Sequence, residues 1–175
     1  LKAALQDQFK GIRLGEAVAE EDQFFVDSDK DNQQVSADEL EGLESVVKKL
    51  AKENLKIELV KVSVDDAVKA VEGDQFSSEL LKENAEDGQV SLYKMGDATI
   101  LAQAPIMLYA NLVKNVKLLS VAGAYWKGMS SNPMLQRIYG TVFFKKEDLE
   151  ADLKARQEAR ERDHRVIGNQ LDLFF

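Results

Sequence analysis

The chain has no cysteine, one histidine (His164) and two prolines in 175 residues. Without thiols there is no disulfide, no thiolate nucleophile and no Cys-ligated zinc. A single histidine leaves any zinc site to carboxylates and gives an imidazole acid–base device one candidate. Long apolar runs are missing as well. No stretch approaches the ~18–20 residues that a membrane-spanning helix needs. The opening Leu1-Lys2-Ala3-Ala4-Leu5-Gln6-Asp7 is too polar for a signal peptide. It also lacks an initiator Met, so the sequence reads as a piece of something longer. The composition fits a cytoplasmic chain, or an organellar one.

What is present is globular in character. The chain is 45% hydrophobic and 31% charged, which suits one domain with a core, or one domain plus an appendage. Its net charge of −8 has the wrong sign for an electrostatic grip on nucleic acid. The distribution says more than the sum. No acidic residue falls between Asp97 and Glu147, whereas Lys114, Lys117, Lys127, Arg137, Lys145 and Lys146 all do. Either this stretch presents a basic face to phosphate, or it is mostly buried strand with few surface positions to charge.

Hydrophobic periodicity predicts a mixture of helices and strands, of α+β character. Leu1, Ala4, Leu5 and Phe9 mark a short helix, and 12–18 and 23–26 read as strands. Asp27, Asp29 and Asp31 imitate a calcium loop. Asn32 stands where the turn glycine belongs and Glu39 comes one residue late, so an Asp-rich turn is the better account. Ser36 and Glu39 form a capping box for a helix with Leu40, Leu43, Val47 and Leu50 on one face. A strand is predicted over 55–62, short helices over 63–71 and 78–83, and mostly strands from Gln89 to Phe144, with a turn at 128–133. From Lys145 to about Arg165 a strongly charged helix follows, with a thin stripe of Leu149, Leu153, Ala155 and Ala159. Such a helix bridges domains or rests on the body by one edge, which puts a domain boundary between 1–144 and 145–175.

The run from Lys117 through Ala122-Gly123-Ala124-Tyr125-Trp126-Lys127-Gly128, and Met134-Leu135-Gln136-Arg137-Ile138-Tyr139-Gly140-Thr141-Val142-Phe143-Phe144, resembles the bacterial threonyl-tRNA synthetases. So do Arg162-Asp163-His164-Arg165, Ile167-Gly168 and Leu171-Asp172-Leu173. Phe24-Phe25, the capped helix and Val90-Ser91-Leu92-Tyr93 fit more loosely. The resemblance implies that 1–144 is the family's second domain, an antiparallel sheet packed with helices that hydrolyses mischarged seryl-tRNA, and that 145–175 is the linker helix into the catalytic domain. That domain, with its ATP, magnesium and zinc, would lie outside this chain, which would itself carry no cofactor or metal.

The family's editing pocket uses a His-x-x-x-His pair, a Cys, a further His, and Lys, Asp and Tyr groups. Ester hydrolysis needs an activated water and proton donors beside the scissile bond. By the resemblance the Cys falls at Ala102, the further His at Ile106, the Asp at Ile100, the Lys at Ser77 and the Tyr at Val26. The His pair would precede or overlap Leu1. The scaffold is therefore expected to be kept and hydrolysis lost, leaving no catalytic residue and a role as spacer or tRNA-contact module. Lys114, Lys117, Lys127 and Arg137 are the candidate tRNA-phosphate contacts. Tyr125 and Trp126 are weighed as stacking residues against the more usual core role. His164, between Asp163 and Arg165, reads as a surface or docking residue. Two alternatives stand beside this reading. One is a non-catalytic, synthetase-related interaction protein such as a mitochondrial large-subunit ribosomal paralogue. The other is an altered deacylase using carboxylates such as Asp97. Partners are expected to be tRNA and the catalytic domain of the same protein, with no membrane, and the isolated piece is expected to be a monomer.

Overall fold

The computed structural model describes residues 1–31, 33–96, 98–101 and 109–172, with side chains as far as 162. Among these residues the order is α1 (Lys2–Gln8), β1 (Arg13–Ala19), β2 (Phe24–Asp29), α2 (Ala37–Lys52), β3 (Ile57–Ser63), α3 (Val64–Ala70), α4 (Gln75–Glu83), β4 (Gln89–Met95), β5 (Ala98–Leu101), β6 (Asn115–Tyr125), β7 (Met134–Phe143) and α5 (Lys146–Asp172). The strands form two antiparallel sheets, one ordered β1-β2-β7-β6 and the other β3-β4-β5. The fold is α+β, as the periodicity indicated, with two sheets where one was expected. No helix among the described residues is long and apolar enough to cross a membrane.

The main core lies between the large sheet and the helices α1 and α2, where Leu5, Leu14, Val26, Leu43, Val116, Leu118 and Ile138 pack together. Ser36 caps α2 as the sequence indicates: its hydroxyl accepts from Glu39 N at 3.2 Å, and Glu39 Oε2 accepts from Ser36 N at 2.9 Å. A second cluster joins α3 and α4 to the small sheet through Ala67, Leu81, Val90 and Leu92. A third places Phe76 and Leu80 of α4 against Trp126 and Leu135 of the β6–β7 hairpin. Gly140 is required by a close approach. A Cβ there would lie 2.4 Å from the ring of Phe24, its cross-strand partner.

Three expectations need correction. Asp27 and Asp29 are strand residues of β2 rather than part of a turn. Asp27 sits opposite Arg137 and takes both of its donors, from Nε at 2.7 Å and Nη2 at 2.8 Å, while Asp29 takes Arg13 Nη2 at 2.7 Å. Asp31 also reaches Arg13 Nη2, at 3.2 Å, so the three acids are divided between Arg13 and Arg137. Helix α4 begins at Gln75 rather than Ser78, because Asp74 caps it through Phe76 N at 3.1 Å and Ser77 N at 3.0 Å. On α5 the sheltered edge is Leu149, Asp152, Leu153 and Arg156, with Ala155 and Ala159 exposed. Arg156 bridges Asp152 at 2.7 Å and the carbonyl of Asp22 at 3.0 Å, which ties the helix to the β1–β2 turn.

Glu44 of α2 is buried against β6. It accepts from Leu118 N at 3.0 Å, and its ion pairs are to Lys117 at 3.1 Å and Lys48 at 2.5 Å. Burial pushes its carboxyl upward, but the Lys48, Leu118 and Lys117 hydrogen bonds outweigh that and hold it below the ordinary glutamate range. A depressed carboxyl contributes stability above its unfolded value, near ~4.3, and loses it as the pH falls through the folded value. Glu44→Gln should therefore cost about 1 kcal/mol at pH 7, the lysines being half exposed. The gap to the parent should close as urea titrations are repeated down to pH 3; a gap independent of pH would refute the assignment. For the central pair, Arg137→Met strands a carboxylate that is 1% exposed and should cost about 3–5 kcal/mol. Asp27→Leu combined with Arg137→Met should recover much of that loss in the same denaturation measurement.

Candidate functional site

A cleft of about 910 Å³ opens where β1 of the large sheet faces the small sheet and its helices. Its walls include Lys2 and Asp7 from α1, Arg13 and Leu14 from β1, Asp74 and Ser77 at the start of α4, and Thr99, Ile100 and Leu101 from β5. The irregularity that shapes this wall is a bulge in β1: Leu14 pairs with Ser28 and Ala17 with Val26, so Gly15 and Glu16 oppose Asp27 alone. Gly15 has to be glycine here. A Cβ would stand 2.9 Å from Cβ of Asp27 and 3.0 Å from the indole of Trp126.

The bulge turns Leu14 toward α4. Leu14 N donates to Asp74 Oδ2 at 2.7 Å, and Leu14 O accepts from Ser77 Oγ at 3.0 Å. Asp74 Oδ2, 2.7 Å from Ser77 Oγ, is the other acceptor within reach of that one hydroxyl proton. With Phe76 N and Ser77 N on Oδ1, both oxygens of Asp74 are occupied. Ser77 and Asp74 are thus tied up in joining a strand to a helix. A serine nucleophile needs a base to take its proton, and no imidazole occurs among the cleft residues. Lys2, on the same wall, is 8% exposed. Burial lowers its ammonium to about 8, against the opposing pull of Asp74, Asp27 and Glu16.

The positions singled out from the sequence divide between places. Ser77 and Ile100 line the cleft together. Val26 does not: it is 4% exposed in the main core, on β2 opposite Ile138. Ala102, Ile106 and Asp97 lie outside the described residues, as does the side chain of His164, whose backbone is in α5. The sequence reading missed Lys2, Arg13 and Asp74. Asp74 carried a signal, an N-cap residue directly ahead of Gln75-Phe76-Ser77. Lys2 carried none, since one lysine in a short amphipathic helix reads as surface.

The basic candidates are mostly engaged within the molecule. Arg137 pairs with Asp27, its guanidinium 3.9 Å above the Phe25 ring, and Lys117 pairs with Glu44. Lys127, at a left-handed φ of 53°, bonds Glu79 at 2.6 Å and also Glu83. Those two carboxylates raise its ammonium above the ordinary lysine value. Trp126 is 3% exposed and donates to Glu79 at 3.0 Å, so it is a core residue and not a stacking platform; Tyr125 is 40% exposed. Lys114 is exposed and has no ion pair among the described residues.

No protein-family model matches the chain. Among curated proteins it is 58% identical over 176 residues to the threonine–tRNA ligase of Levilactobacillus brevis, covering 100% of this chain and 27% of that protein. It is 46% identical over 175 residues to the threonine–tRNA ligase of Pediococcus pentosaceus, with 100% and 27% covered. Against that of Latilactobacillus sakei it is 49% identical over 175 residues, with 100% and 26% covered. The chain spans about a quarter of the length of these relatives. In sequence it is therefore, from end to end, the counterpart of one stretch of the bacterial threonine–tRNA ligases.

Proposed function

We propose that this chain is the editing-type segment of a threonine–tRNA ligase in which hydrolysis of mischarged tRNA has been abandoned. Residues 1–144 serve as a spacer and tRNA-contact module, and 145–175 form the linker helix toward a catalytic domain. ATP, magnesium and zinc belong to that domain, which is not in this sequence, and tRNA is the partner. The observation that carries the reading is the cleft wall itself. Ile100 and Ser77 stand where the family resemblance puts an Asp and a Lys, and the Ser77 hydroxyl is tied to Leu14 O and Asp74. General acid–base groups each contribute roughly 10²–10⁴ in rate; at the two positions where the resemblance puts an Asp and a Lys, Ile100 and the occupied Ser77 offer none. That the relatives are ligases favours this reading over a ribosomal paralogue.

Two measurements test it. Incubated with seryl-tRNA, the chain should leave the ester to decay at its uncatalysed rate, and serine release above that rate would overturn the loss of hydrolysis. For the tRNA contact, Lys114 is the exposed cation best placed to meet phosphate, Lys117, Lys127 and Arg137 being held by Glu44, Glu79, Glu83 and Asp27. In filter-binding titrations over a range of salt, Lys114→Gln should reduce the slope of log affinity against log salt by about 1. An unchanged slope would remove Lys114 from the interface.

A further inference from the structure

Folded chains leave single apolar side chains in water as a matter of course, and one alone marks nothing. Phe144 differs in its degree of exposure and in its neighbours. It is 81% exposed, the most open of the large apolar side chains among the described residues. A structural use lies close by. Helix α5 starts at Lys146 with Leu149 as its fourth residue, and an apolar residue just ahead of a helix commonly packs on that position. At such exposure the Phe144 ring is not taken up by that contact. Its backbone is nevertheless fixed, because Asn115 Nδ2 donates to Phe143 O at 3.2 Å and to Phe144 O at 2.9 Å. The same amide brings together Lys114 and Lys145, the chain neighbours of Asn115 and Phe144, at one end of the β6–β7 pair. Both lysines are exposed and have no ion pair among the described residues. Lys146 pairs with Glu150 at 3.2 Å, and no acidic residue falls between Asp97 and Glu147.

We infer that Phe144, Lys114 and Lys145 form a contact for an unpaired stretch of tRNA, an inference that rests on the tRNA-contact role proposed above. One base stacks on the ring, and the phosphates flanking it meet the two ammonium groups. Single-stranded nucleic acid is held in this way, by an aromatic face that any base can cover and by cations that follow the backbone. Bases inside a duplex are stacked on one another and offer the ring no face. An apolar protein surface would cover the ring, but it would desolvate the two lysines without a counter-charge. A phosphate chain supplies that counter-charge and the flat apolar face together. The backbone held by Asn115 adds to the fit, since little of it has to be ordered on binding.

Filter binding of tRNA to the chain over a range of salt separates the two kinds of contact. Phe144→Leu keeps an apolar side chain at an open position, so the fold should be untouched. It should weaken binding about tenfold and leave the salt slope unchanged. Lys145→Gln should instead lower the slope by about 1. Phe144→Trp gives a direct readout, because the native Trp126 is 3% exposed and poorly reached by acrylamide. An octamer of adenylate RNA should quench the new indole and shield it from acrylamide. Binding of tRNA that Phe144→Leu leaves undiminished, or an indole that the octamer leaves open, would overturn this contact while the tRNA role stood. Absence of any tRNA binding by the chain would remove both. An indole already shielded in the whole ligase without RNA would give the ring to another of its domains, and would equally overturn the contact.

Discussion

Asp27 lies at the middle of β2 with 1% of its surface exposed, directly across from Arg137 on β7, and the surrounding structure is arranged so that its charge is never bare. Taking a carboxylate out of water costs several kcal/mol, and only a well-formed pair with its lone pairs satisfied recovers that. The fork of Arg137 provides two donors at 2.7 and 2.8 Å, and the ring of Phe25 sits beneath the guanidinium. On the other side Gly15 lets the backbone of β1 come within van der Waals contact of the Asp27 methylene, and Trp126 and Leu135 close the remaining space. A side chain at position 15 would push β1 away from the acid, so the glycine and the bulge belong to the same constraint. The pair also fixes register. A one-residue slip of β2 on β7 would place Asp27 against a neighbour of Arg137 on the wrong face of the sheet.

The second organising device is the plugging of helix carboxylates into strand irregularities. Two of the long-range joints between helices and the large sheet use it. In β1 the bulge at 15–16 leaves Leu14 N to Asp74 at the start of α4. In β6 the register shift between Leu118 and Ser120 leaves Leu118 N to Glu44 of α2. A bulge interrupts the ladder and frees a backbone donor, and a buried free donor costs about as much as a lost hydrogen bond. A carboxylate supplied by the neighbouring helix removes that cost and pins the helix at one position along the strand. Apolar packing by Leu43, Val47, Phe76 and Leu80 then supplies bulk stabilisation without having to set the alignment.

This explains how much of the fold could be read in advance. Elements whose signal is local were legible: the capping box at Ser36, the alternation of β3, the paired hairpin strands β6 and β7, and the charged helix α5. The Asp-rich segment after Phe25 was misread because its meaning is not local. Asp27 and Asp29 look like turn residues until Arg137 and Arg13 are placed beside them, and Arg137 is 110 residues away in sequence. The cleft shows the same limit. Ile100 and Ser77 line it, and neither position carries a local signal of that. Val26 went to the core, because the alternation of β2 sends it to the side occupied by Leu14 and Ile138. The burial of Lys2 depends on β1, α4 and β5 together, and no window of sequence contains that.

The same long-range pairing changes what the charge pattern means. The acid-free stretch from 98 to 146 suggested a basic face for nucleic acid, or a buried region with little to charge. Neither description fits its cations. Lys117 meets Glu44, Lys127 meets Glu79 and Glu83, and Arg137 meets Asp27, so three of its six cations are neutralised by acids drawn from the first hundred residues. Segregation along the chain has become complementarity across the β6–β7 hairpin, which works against misplacing that hairpin, since like charges would then meet. A phosphate approaching this surface has to compete with carboxylates already in place at 2.6–3.1 Å, which leaves Lys114 and Lys145, exposed and without such a partner among the described residues, as the cations of the stretch with least to give up.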